Sequence, residues 1–400
     1  MRIALLSFEY PPETSFGGIG TYTWCHARAL VRLGHEVHVL AGATSPTALR
    51  SEIQEGVVVH RYRASGVIMG CLRIFGVLRC HWSSQRLENA WCMYLGLRRL
   101  MRKHTFDVLE MPECGAEGAL ISLMLAPITT PSVVRFHSPS QIIMPFYDVP
   151  SLDRILCARL EQIAIDRATA FTSCSHFLAD EARKVLAVTR PVSVIANGID
   201  LPLFDRESVA LPAWASTGKV TILFAGRMER RKGIHLCPAI VKSVLRHRDV
   251  TFLFAGEDLF SYLENTLMPS LAIEGMSDSV HALGKLDAAQ IRACLRAADI
   301  LLMPSLWENC PYSCLEAMAS GLAIVASHQG GIPELIEHGV NGLLAEPGSP
   351  DAFAENLIKL IDAPDLRRML GANARQTVEQ HFTDVHTAAQ AVQVYQAAAR

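Results

Sequence analysis

Val220-Thr221-Ile222-Leu223-Phe224-Ala225-Gly226-Arg227-Met228-Glu229-Arg230-Arg231-Lys232-Gly233 begins as a largely apolar run and breaks at a glycine into a basic loop. It then leads into a segment of helical length and periodicity, Pro238–Arg246. This reads as strand, loop and helix, the unit that builds parallel α/β sheets. Its position decides the fold, because it restarts a pattern that is already complete upstream. Before it, candidate strands lie at Arg2–Phe8, Glu36–Ala41, Val57–Tyr62, Val108–Met111, Val133–His137, Ala170–Ser173 and Val192–Ile195. From it onward they lie at Val220–Ala225, Thr251–Ala255, Val280–Ala282, Ile300–Met303, Ala323–Ala326 and Gly342–Leu344. Most are continuous apolar runs, as suits strands buried on both faces of a parallel sheet. Segments such as Thr21–Leu33 lie between them with helical periodicity. The fold class is therefore α/β: two doubly wound parallel sheets, each in its own domain, with a cleft between them.

The restart follows Asn197-Gly198-Ile199-Asp200 and a loop holding Pro202, Pro212 and Ser216-Thr217-Gly218, which places the boundary near 205–215. The segments expected are 1–208, 209–383 and a terminal helix over 384–400. The length of 400 residues agrees, since domains run to roughly 100–200 residues each. Half the residues are apolar and 19% are charged, which excludes a disordered or fibrous chain. A net charge of −2 argues against a dedicated nucleic-acid binder. The 11 cysteines are odd in number and contain no C-x2-C pair, so they read as reduced, mostly buried thiols, with a metal site the minority alternative. The amino terminus meets Glu9 and Pro11-Pro12 too soon for a secretion signal. No stretch reaches the ~18–20 unbroken apolar residues of a spanning helix. The expectation is a cytoplasmic chain, soluble or peripheral on the inner membrane face.

In parallel sheets of this kind ligands bind outside the carboxyl ends of the strands, so the chemistry belongs to the loops there. The first loop, Glu9 to Gly20, lacks the G-x-G-x-x-G spacing, and Leu40-Ala41-Gly42-Ala43-Thr44 offers no carboxylate for a ribose diol. A nicotinamide or flavin enzyme is disfavoured. Gly17 and Gly18 either let a ligand approach the backbone amides or cap the helix that follows. The loop after Val220–Ala225 has no G-K-[ST] and so no signature of phosphoryl transfer from ATP. Its Arg227 and Lys232 are two fixed cations that could clamp a diphosphate, while Arg230 and Arg231 read as solvated neighbours.

The strongest signal is Pro304-Ser305-Leu306-Trp307-Glu308-Asn309-Cys310-Pro311-Tyr312-Ser313-Cys314-Leu315-Glu316-Ala317-Met318-Ala319-Ser320-Gly321. It follows a strand, and Pro311 suits the first position of a helix. The free amides of Tyr312, Ser313 and Cys314 would then point toward phosphate oxygens. Glu308 precedes the helix and Glu316 lies within it, so one carboxylate reaches the sugar end of a donor and the other its ribose. Carboxylates suit hydroxyl pairs because they only accept hydrogen bonds, and several each.

Glu308 and Glu316, with Glu-Ala-Met-Ala-x-Gly after them, resemble the signature of family-4 retaining glycosyltransferases of the GT-B fold. Gly330-Gly331-Ile332-Pro333-Glu334, Asn341-Gly342-Leu343-Leu344, Gly226-Arg227…Lys232-Gly233, Asn197-Gly198-Ile199-Asp200 and Gly17-Gly18 are similar to that family too, in order along the chain. The resemblance implies a nucleotide-diphosphate sugar as co-substrate, a hydroxyl acceptor, and no metal or other cofactor. It implies that Arg227 and Lys232 neutralise the diphosphate, that Glu316 holds the ribose, and that Glu308 positions the transferred sugar. Gly17 and Gly18 would lie near the diphosphate, Asn197 among the donor contacts and His137 near the reacting carbon. Retention in the family is explained by front-face attack, with the leaving phosphate oxygen taking the acceptor proton. Two departures stand out: Ser138 follows His137 where relatives carry an aspartate, and Asn309-Cys310-Pro311-Tyr312 replaces a Phe-Gly loop. His137 also reads as a hydrogen-bonded strand-end residue, and Glu334 as a helix-start carboxylate or a ligand contact.

From Arg63 to Lys103 eight basic residues face Glu88 alone, interleaved with Ile74, Phe75, Val77, Leu78, Trp82, Trp91, Tyr94 and Leu95. Either this is a solvated helix face with aromatics packed inward, or a cationic amphipathic surface for an anionic membrane. The second alternative fits a lipid-linked acceptor. Two rival functions share the site residues, a nucleotide-sugar epimerase and a non-catalytic nucleotide-sugar binding protein. The paired glutamates and glycine pair favour the transferase.

Overall fold

The computed structural model describes residues 1–14, 17–124, 130–205 and 218–400. The chain forms two compact units, Met1–Gly198 with Asp384–Arg400, and Ile199–Thr383. The first division falls at Gly198/Ile199, ahead of the 205–215 loop where the sequence reading puts it; positions 206–217 lie outside the described residues. Ile199 goes with the second unit because it bridges to Thr383, and Asp205 because Arg375 binds it at 2.7 Å.

The first unit is built on β1 (Arg2–Ser7), β2 (Glu36–Ala41), β3 (Thr47–Gln54), β4 (Val57–Arg63), β5 (Val108–Pro112), β6 (Ser132–Phe136), β7 (Ala170–Ser173) and β8 (Val192–Val194). They lie in the order β3-β4-β2-β1-β5-β6-β7-β8. Every pairing is parallel except β3 with β4. Among the described residues β3 is the one strand the sequence reading misses. It is an edge strand of mostly exposed residues, so it lacks the apolar run that marks the others. Ile3, Leu5, Val39, Val59 and Val133 form the core with Ala27 and Leu30 of the helix Gly18–Arg32. Each of the valine, leucine and isoleucine side chains contributes roughly 1.5–3 kcal/mol of burial energy.

The helix Asp384–Ala398 completes this core with Ala388, Ala391 and Tyr395. Buried polar partners fix its seat. The Tyr395 hydroxyl donates to Glu110 and lies 2.7 Å from His26 Nε2. Tyr22 donates to the same Glu110 carboxyl at 2.7 Å, and Arg32 pairs with Asp384. Burial holds His26 down to about 4, so it sits neutral in this network.

The second unit carries β9 (Thr221–Ala225), β10 (Thr251–Ala255), β11 (Val280–Gly284), β12 (Ile300–Met303), β13 (Ala323–Ser327) and β14 (Leu343–Ala345). Their order is β11-β10-β9-β12-β13-β14, all parallel. Succession runs outward from β9 to β11, then returns to β12 on the other side of β9. That reversal is a topological switch point, where neighbouring loops diverge and open a crevice at the strand ends. The loops after β9 and β12 therefore lie side by side. In the first sheet the reversal falls between β1 and β5, which brings together the loops from Phe8 and from Glu113.

Candidate active site

Three loops of the second unit converge on Glu308. Its carboxyl, buried with the rest of the residue, receives the Lys232 ammonium and the Ser305 hydroxyl on Oε1, the latter at 3.2 Å. Arg231 reaches Oε2 at 3.5 Å. Both cations come from the loop after β9, and Glu308 and Ser305 from the loop after β12. The third loop follows β13 and reaches the backbone, where the Gly331 amide donates to the Glu308 carbonyl at 2.9 Å. A Cβ on Gly330, which has a φ of 64°, would collide with that same carbonyl, so this loop must pass there without a side chain.

The cations are themselves arranged by a second buried acid. Glu229 binds Arg231 at 2.8 Å and Arg227 at 3.3 Å, and Arg231 also donates to the Trp307 carbonyl at 3.1 Å. Arg227, Glu229, Arg231, Glu308 and Lys232 thus alternate in charge from a half-exposed guanidinium to a mostly buried ammonium. Burial favours the neutral form of Glu308, but Lys232 and Arg231 outweigh it and hold the carboxyl below its ordinary range. Burial also lowers Lys232, against the opposing pull of Glu308. The helix Tyr312–Ala319 follows, with Pro311 as its cap residue. The carboxyl of Glu316, in that helix, has no hydrogen-bond partner among the described residues, and burial, opposed by Arg292, pushes it up to about 7.

In the first unit His137 stands at the end of β6. Its amide is bound by Glu113, and its ring meets Tyr22 edge-on at 5.1 Å. Burial and Arg135 keep the imidazole neutral, well below its usual pKa. Gly17 caps the helix Gly18–Arg32. A Cβ there would meet the Glu9 carboxylate, whereas one on Gly18 would meet nothing.

Two family models match this chain in succession, Glycosyltransferase Family 4 over residues 16–202 and Glycosyl transferases group 1 over residues 212–377. The chain belongs to the group 1 glycosyltransferases. Mycobacterium tuberculosis glycogen synthase is a 26% identical relative over all of this chain and 95% of its own length. Among solved structures, sucrose-phosphate synthase from Thermosynechococcus elongatus superposes with a TM-score of 0.77 at 20% identity, covering 99% of this chain and 98% of that one. Anabaena HepE in complex with UDP-glucose superposes with a TM-score of 0.70 at 19% identity, covering 99% and 100%. These likenesses establish the GT-B fold.

For a group 1 glycosyltransferase the sequence motifs single out residues that the structure treats differently. Lys232 and Glu308, read as serving the diphosphate and the transferred sugar, touch each other directly. Arg227 joins them through Glu229 and Arg231. Arg231 is not a solvated neighbour: its side chain is 11% exposed and ties three of the site's groups together. Arg230, by contrast, is exposed. Cys314 has no free amide, since it donates to the Pro311 carbonyl at 3.1 Å, and Pro311 stands one place ahead of the first helical position. The Ser313 hydroxyl lies 3.9 Å from Met303 Sδ. Asn197 belongs to the first unit, where its side-chain oxygen accepts from the buried Arg135 at 3.0 Å. Glu334 is exposed at the end of a short 3-10 turn. Among the described residues no group of three or more His, Cys, Asp or Glu is arranged to hold a metal ion. None of the 11 cysteines forms a disulfide among the described residues, and all but Cys71 and Cys114 are buried.

Proposed function

We propose that this glycosyltransferase moves a hexose-type sugar from a nucleotide-diphosphate sugar to a hydroxyl acceptor, with retention and without a metal ion. The observation that carries this reading is the alternating chain of cations and carboxylates at the switch point of the second sheet. Arg227 and Lys232 supply fixed positive charge where a diphosphate would leave, so charge developing there meets donors already in place. Glu308 holds Lys232 and Arg231 in position and offers acceptor capacity to the sugar. Glu316, whose carboxyl is unengaged, is the ribose partner. Front-face attack, with the leaving phosphate oxygen taking the acceptor proton, asks for no protein nucleophile. The name of the glycogen synthase relative and the UDP-glucose in the HepE complex support a hexosyl donor. Melting-temperature shifts with UDP-, GDP- and ADP-sugars identify the donor, because a tight ligand raises the transition by mass action. The anomeric configuration of the product, formed in the presence of a chelator, then tests retention and metal independence together. An inverted product or a chelator-abolished rate would overturn them.

Glu316 gives this reading a pH dependence. Its carboxyl is raised by burial to about 7, and only the ionised form accepts from both ribose hydroxyls without a proton in the way. Donor affinity is expected to weaken as pH falls through 7. Calorimetric titration of the nucleoside diphosphate at successive pH values measures this, with Glu316→Gln removing the dependence while the ligand's own titration stays.

The reading extends to an anionic membrane surface at residues 63–103. The helix Val67–Val77 exposes Val67, Ile74 and Val77, with Leu78 just beyond it, and buries Met69 alone. Large apolar groups do not stay contiguous and exposed on a surface without a use, and Arg73, Arg79 and Arg99 lie around this one. The Ile74→Asp and Val77→Asp substitutions together are expected to abolish co-sedimentation with phosphatidylglycerol-containing vesicles. Equal sedimentation of both proteins, or of neither, removes the membrane contact from the reading.

A further inference from the structure

The first unit holds a set of buried charges that this reaction scheme leaves unused. Glu113 follows β5 at that sheet's switch point and is fully buried. Its carboxyl accepts from the His137 amide at 2.9 and 2.8 Å and from the Ser138 amide at 2.7 Å. Glu161, in the helix Ser151–Asp166 and equally buried, accepts from the amide and hydroxyl of Ser140 at 2.8 and 2.7 Å. It also pairs with the buried Arg86 at 3.1 Å. The segment His137–Ser140 therefore hangs from two buried carboxyls. Placing carboxyls inside a protein costs far more than placing neutral amides there, and a neutral side chain could satisfy these N–H groups. What each carboxyl adds is acceptor oxygen on a short, buried side chain that holds neighbouring donors of the segment at once.

We infer that Glu113 is a positioning residue for glycosyl transfer, fixing through the amides of His137 and Ser138 the direction in which the His137 ring is presented. The inference rests on the proposed transferase reading, in which His137 serves the transferred sugar. The ring is then defined from two sides, by Glu113 at its backbone and by Tyr22 at its edge. Tyr22 is in turn anchored by its hydroxyl to Glu110.

The groups facing Glu113 give the device a pH signature. They are Glu161 from one helix, Arg86 from the helix His81–Leu100, Cys114 and Glu117 from its own loop, and His137 at the end of β6. Burial, with the charge of Glu161 added to it, pushes the Glu113 carboxyl up to about 8. A raised carboxyl favours the protonated form, which keeps an acceptor oxygen for the two amides. As pH rises through 8, ionisation sets a second buried anion against Glu161, and this repulsion, working against the amides, shifts the carboxylate and the His137–Ser140 segment with it. The grip is lost on the alkaline side.

Steady-state kinetics on the full chain test this, using whichever of UDP-, GDP- and ADP-glucose the wild type turns over. Glu113→Ala is expected to lower kcat on the order of 10²-fold, the usual effect of a misplaced reacting group, with donor KM within about threefold of wild type. Glu113→Gln, a neutral isostere of the protonated acid, is expected to restore kcat to within about fivefold and to lose the alkaline decline shown by wild type. Wild-type kcat in Glu113→Ala, or an unchanged alkaline decline in Glu113→Gln, overturns the inference. If the alanine variant fails to fold, the glutamine profile decides. If both fail, a wild-type kcat with no decline above pH 8 overturns it. Absence of turnover by the wild type with every donor strikes the transferase reading instead.

Discussion

Lys232→Ala is expected to lower kcat/KM by ten- to several hundred-fold while leaving the melting temperature within a few degrees of wild type. A charge-assisted contact to a leaving diphosphate contributes roughly 1.5–3 kcal/mol, and each ~1.4 kcal/mol of transition-state stabilisation is a factor of ten. The stability side follows from the neighbours. Burial already disfavours the charged ammonium, lowering its pKa despite Glu308, so the folded state gains little from it. Its removal leaves Glu308 compensated by Arg231 and Ser305. Rate and stability should therefore separate. The comparison is kcat/KM against thermal melting in the same buffer, and a variant with normal turnover removes the proposed clamp. Arg231→Ala should behave differently, losing stability and turnover together, because it strips a partner from both Glu229 and Glu308 while their carboxyls stay buried.

That contrast marks what the sequence could and could not disclose. The apolar runs at Ile222–Phe224, Leu253 and Ile300–Leu302 announce buried parallel strands because nothing else in a soluble chain places so many apolar residues together. Glu308 and Glu316 are legible because their spacing straddles a strand-to-helix loop. Arg231 is not legible. In the sequence it is one of three consecutive cations, and such runs are normally solvated. Only the closure of the loop against the Trp307 carbonyl and Glu229 buries it. Glu113 and Glu161 fail for a related reason: they lie far apart in the chain, and what they share is a third segment whose main-chain amides both of them hold. β3 fails for the opposite reason, being an exposed edge strand whose residues carry no burial pattern. Long-range polar partnerships are properties of the folded chain, whereas apolar periodicity is a property of each segment.

The second large effect expected is from Gly233→Ala, which should lower stability by roughly 2–5 kcal/mol and remove donor binding with it. Gly233 has a φ of 77°, in the left-handed region that costs an alanine roughly 1–2 kcal/mol. A Cβ at this position would also collide with the Pro304 carbonyl, a backbone atom with no rotamer through which to escape. Relief must come from parting the loops after β9 and β12, and these are the loops that bring Lys232 onto Glu308. The Leu306 amide donates to the Arg231 carbonyl at 2.8 Å across the same junction, so that bond is strained as well. For a unit of this size the loss corresponds to a fall of roughly 5–15 °C in the melting temperature. Gly218→Ala supplies the control: its φ of 71° carries the same backbone penalty, but its Cβ would meet nothing. It should lose only the smaller, conformational part and keep its donor response. Equal losses in the two variants would mean that the contact between the two loops is not what the glycine protects.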